Sequence, residues 1–125
     1  MFNYFDDPPY AVAVIGAGRG IGRAAALEMA GQGIAVACLD SDGAAAEETA
    51  REIGKGGRRS AARAMDVTDA ASIAAAIKVT IGALGRIDGL VNCAGITERT
   101  NLAGHAVDMG DFARVYQVNM RGALL

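Results

Sequence analysis

The sequence has 125 residues, a length that suits one domain. Hydrophobic residues make up 52% and charged residues 21%, which favours a buried core and excludes a disordered chain. The net charge of −2 gives no reason to expect nucleic acid or an anionic membrane as a partner, and no apolar stretch is long enough to span a bilayer.

Strand and helix patterns alternate along the chain. After an irregular lead-in that ends at Pro8 and Pro9, short apolar runs predict four strands, and these runs are YAVAVIG (10–16), IAVACLD (34–40), SAARAMDV (60–67) and RIDGLVNCAG (86–95). Runs that are apolar on both faces are typical of strands buried between layers of helices.

Four helices are predicted between and after these strands. The first is GIGRAAALEMAGQG (20–33), and the second is GAAAEETAREIG (43–54), capped by Ser41 or Asp42. The third is capped by Thr68, and its apolar stripe comprises Ile73, Ile77, Ile81 and Leu84. The fourth extends from Asp111 to the last residue, with Phe112, Val115, Tyr116 and Asn119 along one face.

This alternation predicts an α/β fold of the Rossmann-like, doubly wound type, with a parallel sheet between two layers of helices. The glycine-rich stretch VIGAGRGIG (14–22) joins the first strand to the first helix. Gly16 can form the tight turn, Gly20 allows close approach of a pyrophosphate, and Gly22 lets the helix pack closely. Nucleotide binding is therefore favoured over a merely tight turn.

The spacing of the glycines distinguishes between the known types of nucleotide-binding loop. A Walker loop is excluded because no Gly-Lys-Ser/Thr follows. A G-x-G-x-x-G motif beginning at Gly16 would need glycine where Ile21 stands, so the pattern that fits is G-x-x-x-G-x-G. This spacing resembles the short-chain dehydrogenase/reductase family, classical type.

Further motifs carry the resemblance along nearly the whole chain. They are Asp40 after the second strand, Asp66–Val67 after the third, the Asn92–Gly95 run NCAG after the fourth, and Asn119 in QVNMRG. The chain departs from the family in two places, since Cys93 replaces the second Asn of Asn-Asn-Ala-Gly and Ile15 replaces a Thr before the first glycine.

The resemblance implies a nicotinamide dinucleotide as cofactor. The cofactor-binding residues it implies are Gly16, Arg19, Gly20, Ile21, Gly22, Asp40, Asp66, Val67, Asn92, Ala94 and Gly95. We expect Asp40 to bind the adenosine ribose and to repel a 2′-phosphate, which favours NAD over NADP. Arg19 is the one contrary sign, because NADP-dependent relatives often have a basic residue in this loop.

The resemblance also makes Asn119 a catalytic residue, the first of a tetrad. The alternative is a buried Asn satisfied by water or a carbonyl. The family's Ser and its Tyr-x-x-x-Lys motif are absent, because the residues four positions after Tyr4, Tyr10 and Tyr116 are Pro8, Val14 and Met120.

We therefore interpret residues 1–125 as the dinucleotide-binding N-terminal half of a longer enzyme. The implied strand order is 3-2-1-4, which leaves the fourth strand as an unprotected edge, so we expect the isolated chain to be marginally stable and prone to aggregation. The implied activity is hydride transfer between the cofactor and a small alcohol or carbonyl substrate, in an enzyme that forms homo-oligomers. A catalytically inactive binding module and a non-functional fragment are the alternatives.

Three other features are interpreted more simply. We expect Cys38 and Cys93 to be reduced and buried, in a cytoplasmic protein, because Asp6 and Asp7 replace the basic start of a signal peptide. No metal site is predicted, because His105 has no evident companion ligand. The run KGGRR (55–59) is interpreted as a solvated turn.

Overall fold

A computed structural model describes residues 10–97 and 108–125. The strands are β1 (Ala11–Ile15), β2 (Ala35–Asp40), β3 (Ser60–Ala64) and β4 (Gly89–Asn92). The helices are α1 (Gly20–Gly31), α2 (Gly43–Lys55), α3 (Ala70–Leu84) and α4 (Met109–Tyr116), and a π-helical turn (Gln117–Arg121) leads from α4 to α5 (Gly122–Leu124). The expectations for the lead-in and for His105 lie outside the described residues.

The strands form one parallel sheet in the order β3-β2-β1-β4, as predicted. Val14 of β1 lies opposite Cys38 of β2 on one side and Val91 of β4 on the other. All the strands therefore end at the same edge of the sheet, where the loops that follow them meet.

Alternate strand residues pack into two separate cores. On one face Val14, Val36 and Cys38 contact small residues of α1 and α2, such as Ala26 and Ala46. Burial raises the pKa of the Cys38 thiol to about 12, which keeps this cysteine protonated and unreactive at neutral pH.

On the other face of the sheet, Ala13, Ala37 and Leu39 pack against α3 through Ala76 and Leu84. The stripe predicted on α3 is only partly correct. Ile73 and Ile77 pack against this core, whereas 46% of Ile81 is exposed and the wholly buried polar position is Thr80.

The predicted starts of two helices are wrong. Asp69, not Thr68, caps α3, because the Thr68 hydroxyl and N–H both donate to Asp66 while the Asp69 carboxylate accepts from Ala71 N–H. The fourth helix begins at Met109, since Asp108 accepts hydrogen bonds from the N–H groups of its first turn. Of the two predicted caps of α2, Ser41 and Asp42, the structure shows Asp42.

The fourth helix also differs from its prediction in continuity and in burial. It changes to π-helical geometry at Gln117–Arg121. Phe112 and Tyr116 stack on each other but remain 54% and 48% exposed, so the face they share does not enter a core within the described part of the chain. Among residues 10–97 and 108–125, no helix combines the length and apolarity of a membrane span.

Candidate functional site

The loop between β1 and α1 requires glycine for steric reasons that differ from position to position. Gly16 has a φ of 81°, and a Cβ there would lie 2.8 Å from the carbonyl carbon and oxygen of Cys93. A Cβ at Gly22 would lie 2.0 Å from the Gly16 carbonyl oxygen. Gly20 faces open space and needs glycine for its φ of 58°. The loop thus folds onto the end of β4 and onto its own helix.

Gly18 is a fourth steric requirement, which the motif spacing did not reveal. A Cβ at Gly18 would lie 2.7 Å from Ala45 Cβ and 2.8 Å from Asp40 Oδ2. The Gly18 N–H donates to Asp40 Oδ2 at 2.8 Å. The regular recurrence of glycine at every second position from 16 to 22 was the available signal, but the two neighbours of Gly18 belong to distant parts of the sequence.

Thr49, which the sequence patterns also missed, stabilises the loop through a side-chain hydrogen bond. Its hydroxyl donates to Ala17 O at 2.9 Å, and the whole residue is inaccessible to solvent. On the other side, the N–H groups of Gly16 and Ala17 both donate to Leu39 O. The loop is therefore fixed by α2 and by the end of β2.

The first turn of α1 differs from the starts of α2, α3 and α4. Asp42, Asp69 and Asp108 each cap a helix with a carboxylate, whereas Arg19 precedes α1 without a side-chain cap. No acidic residue lies in the first turn of α1. No capping carboxylate therefore occupies the positive end of the helix dipole at Gly20, which suits an anionic group such as a phosphate.

Asp40 lies at the end of β2 and is half-buried. Its Oδ2 accepts from Gly18 N–H, and its Oδ1 accepts from Asp42 N–H at 2.9 Å. The carboxylate thus joins the glycine loop to the start of α2. Arg19, the residue that gave the contrary sign for NADP, forms an ion pair with Asp42.

The ends of β3 and β4 complete the edge of the site. Asp66 accepts two hydrogen bonds from Thr68, and these bonds hold the pKa of its carboxyl below the ordinary value. Val67 beside it is buried. Asn92 Oδ1 accepts from Ala94 N–H at 3.1 Å, which turns the chain sharply after β4.

Asn119 lies in the π-helical turn and binds the backbone after β4. Its Oδ1 accepts from Ile96 N–H and its Nδ2 donates to Ile96 O, both at 2.9 Å. Of the alternative, a buried Asn satisfied by a carbonyl, the bond to a backbone carbonyl is present, but the burial is wrong because this residue is exposed. The pair of bonds fixes the orientation of the amide beside Gly95.

These segments enclose a cleft of about 320 Å³. Of the predicted site residues, the cleft is lined by Gly16, Arg19, Asp40, Asp66, Val67, Ala94 and Gly95, whereas Gly20, Ile21, Gly22, Asn92 and Asn119 lie outside its lining. Lining residues that were not predicted are Ile15, Ser41, Met65, Cys93, Ile96 and Val118. Cys93 is partly accessible, so its expected burial is wrong.

Ile21 has a distinct position among the predicted residues, since 82% of it is exposed beside the loop. Within the described residues, no group of three or more His, Cys, Asp or Glu side chains is placed to hold a metal ion.

The fold is that of a Rossmann-like α/β protein, and comparison with known proteins specifies the family. The family model described as short chain dehydrogenase matches residues 10–125, and the chain belongs to that family.

The chain is similar to curated and structurally characterised relatives. It is 38% identical over 113 residues to the short-chain reductase protein NovJ of Streptomyces niveus, covering 89% of this chain and 42% of that protein. It is 37% identical over 120 residues to the human (3R)-3-hydroxyacyl-CoA dehydrogenase, covering 90% of this chain and 45% of that enzyme.

A 7α-hydroxysteroid dehydrogenase, solved as a complex with NADH and 7-oxo glycochenodeoxycholic acid, superposes with a TM-score of 0.84 at 30% identity. That match covers 99% of this chain and 48% of the solved chain. The present chain thus spans less than half the length of each of these relatives.

Proposed function

We propose that this chain binds NAD(H) in the cleft at the carboxyl edge of the sheet and supplies the dinucleotide-binding half of an oxidoreductase. The observation that carries the proposal is the convergence of the glycine loop on Asp40, through the hydrogen bond from Gly18 N–H. This contact places the uncapped start of α1 and a carboxylate within one site, which suits a ligand with a phosphate next to a ribose.

Different groups of described residues would contact different parts of such a cofactor. The loop, kept free of side chains at Gly16 and Gly20, would hold the pyrophosphate with the first N–H groups of α1. Asp40 would accept hydrogen bonds from the adenosine ribose, and Asp66 and Val67 would lie against the adenine. The turn at Asn92, Ala94 and Gly95 would pass beside the ribose.

Bound nicotinamide would supply hydride chemistry for a small alcohol or carbonyl substrate. Asn119 is proposed as the catalytic residue that this chain contributes. Its two hydrogen bonds to Ile96 hold the amide in one orientation, as is needed to position a water for proton transfer. The unusual π-helical geometry around Asn119 agrees with such a role, since π-helical turns often occur at functional sites.

Proton transfer to or from the substrate needs a further acid/base, and the family's Tyr-x-x-x-Lys motif does not occur in residues 1–125. None of the three tyrosines is followed four residues later by lysine. We therefore propose that residues 1–125 correspond to the N-terminal half of the relatives and do not catalyse hydride transfer alone. The same observation favours the second candidate, a dinucleotide-binding module without catalytic activity, and leaves a non-functional fragment as a third.

For the whole protein we propose NAD rather than NADP as cofactor, a homo-oligomeric assembly and a cytoplasmic location. Support for the dinucleotide comes from the similar 7α-hydroxysteroid dehydrogenase, whose complex contains NADH. Support for NAD comes from Asp40, because a carboxylate beside the ribose disfavours a 2′-phosphate.

Titration of the chain with NADH, followed by cofactor fluorescence, tests the proposal. We expect saturable binding with one site, and Asp40→Ala should raise the Kd about tenfold or more because charged hydrogen bonds to the ribose are lost. Asp88→Ala is the matched control, since the Asp88 carboxylate also accepts a backbone N–H, from Ala11, but does so at the amino end of the sheet. Equal affinities for wild type, Asp40→Ala and Asp88→Ala would contradict the proposal.

A further inference from the structure

Arg19 and Asp42 connect the glycine loop to the start of α2. Arg19 Nη2 lies 2.5 Å from Asp42 Oδ2. Arg19 lines the cleft while 74% of its side chain remains exposed, and 45% of the Asp42 side chain is exposed. The guanidinium is thus near the cleft, but its closest partner is a carboxylate of the same chain.

Asp42 is held in this position by two further contacts. Its Oδ1 accepts from Ala45 N–H at 3.1 Å, which caps α2, and its own N–H donates to Asp40 Oδ1 at 2.9 Å. Asp40 is in turn bound to Gly18 N–H. Arg19, Asp42 and Asp40 are therefore connected in one network, in which Asp42 binds the guanidinium and Asp40 lines the same cleft as Arg19.

This network has a consequence for an anionic ligand. A phosphate that approaches Arg19 must compete with the Asp42 carboxylate and must also lie near Asp40. A ribose with a free 2′-hydroxyl carries no phosphate charge, so it neither competes with Asp42 for Arg19 nor is repelled by Asp40. The local net charge of the network is negative even though it contains an arginine, so the presence of Arg19 alone does not make the site favourable for a phosphate.

We propose that Asp42 is a specificity-determining residue, which acts by holding Arg19 in an ion pair and so keeps a dinucleotide with a 2′-phosphate out of the site. The proposal rests on the proposed function of dinucleotide binding. It assigns the cofactor preference to the pair Arg19–Asp42 in addition to Asp40, and it predicts that the preference can be relaxed without changing Asp40.

Asp42→Asn is the informative variant. Asn is as good a helix cap as Asp, so the bond to Ala45 N–H can persist while the charge that holds Arg19 is lost. We expect the Kd for NADP to fall about tenfold, as Arg19 becomes available to the 2′-phosphate, while the Kd for NAD stays within about threefold. Adding Arg19→Ala to Asp42→Asn should remove the gain.

Asp69→Asn is the matched control, because Asp69 caps α3 through Ala71 N–H and does not line the cleft. The Kd values of wild type and all variants for NAD and NADP are measured by calorimetry on folded protein. A ratio of the two Kd values that is unchanged in Asp42→Asn, or changed equally in Asp69→Asn, overturns the role of Asp42 alone. Failure of the folded wild-type chain to bind either dinucleotide overturns both this inference and the proposed function.

Discussion

Gly22 and Gly82 both lie in helices, but a methyl group would meet different surroundings at the two positions. A Cβ at Gly22 would lie 2.0 Å from the Gly16 carbonyl oxygen, whereas a Cβ at Gly82 would meet nothing within 4 Å. The motif spacing assigned Gly16, Gly20 and Gly22, although the steric constraint at Gly16 comes from Cys93 after β4 and not from its sequence neighbours. The motif spacing did not predict a steric requirement for glycine at Gly18, because the constraint there comes from Ala45 and Asp40, which approach Gly18 only in the folded protein.

This contrast gives the first prediction. Gly22→Ala should destabilise the chain by more than about 2 kcal/mol, because loop backbone must move to admit the methyl group. Gly82→Ala should stabilise it by up to about 1 kcal/mol through helix propensity. Urea denaturation followed by circular dichroism measures both changes, and equal effects of the two substitutions would contradict the packing described for Gly22.

At the level of elements, the strands, their order and the starts of α1 and α2 were predictable, but the starts of α3 and α4 were not. Apolar runs bounded by glycine defined the strands, and the order followed from the family resemblance rather than from any pattern in the runs. Thr68 and Asp69 are both good caps on sequence grounds. The choice between them is made by Asp66, which accepts the Thr68 hydroxyl and leaves Asp69 to cap α3.

The cap assignment leads to the second prediction. Asp69→Ala should lower the free energy of unfolding by about 1 kcal/mol, because the Ala71 N–H loses its partner, and Asp69→Asn should restore most of it. Thr68→Ala should cost less, since it removes a bond between two exposed side chains. Chemical denaturation of the three variants provides the test, and a larger loss for Thr68→Ala than for Asp69→Ala would show that Thr68 is the cap after all.

At the scale of the whole molecule, apolar side chains are exposed at β4, on α4 and in the π-helical turn that follows it. Leu90 at the edge of the sheet is 56% exposed, and Met109 and Met120 are 69% and 58% exposed. An uncovered strand edge offers unpaired backbone groups to another chain. Residue patterns could predict the edge once the strand order was assumed, but the exposure of α4 depends on what packs over it, which its own sequence does not specify.

We therefore predict that Leu90→Lys reduces self-association of the isolated chain. A lysine can keep its aliphatic stem along the strand while its charge opposes pairing of two edges. Light scattering against concentration measures the change. Val79→Lys, on the exposed side of α3 where 42% of Val79 is accessible, is the control, and an equal reduction by both variants would show that the strand edge is not the route of association.

The central claim is that the cleft beside the glycine loop and Asp40 binds the adenosine and pyrophosphate parts of NAD. Backbone ¹H–¹⁵N spectra of the labelled chain, recorded while NAD is added, test this claim most directly. The largest shifts should fall on the amides of Gly16, Gly18, Gly20 and Asp40 and on those of the turn at Ala94 and Gly95. Saturable shifts confined to α3 and α4, or no shifts in a spectrum of folded protein, would contradict it.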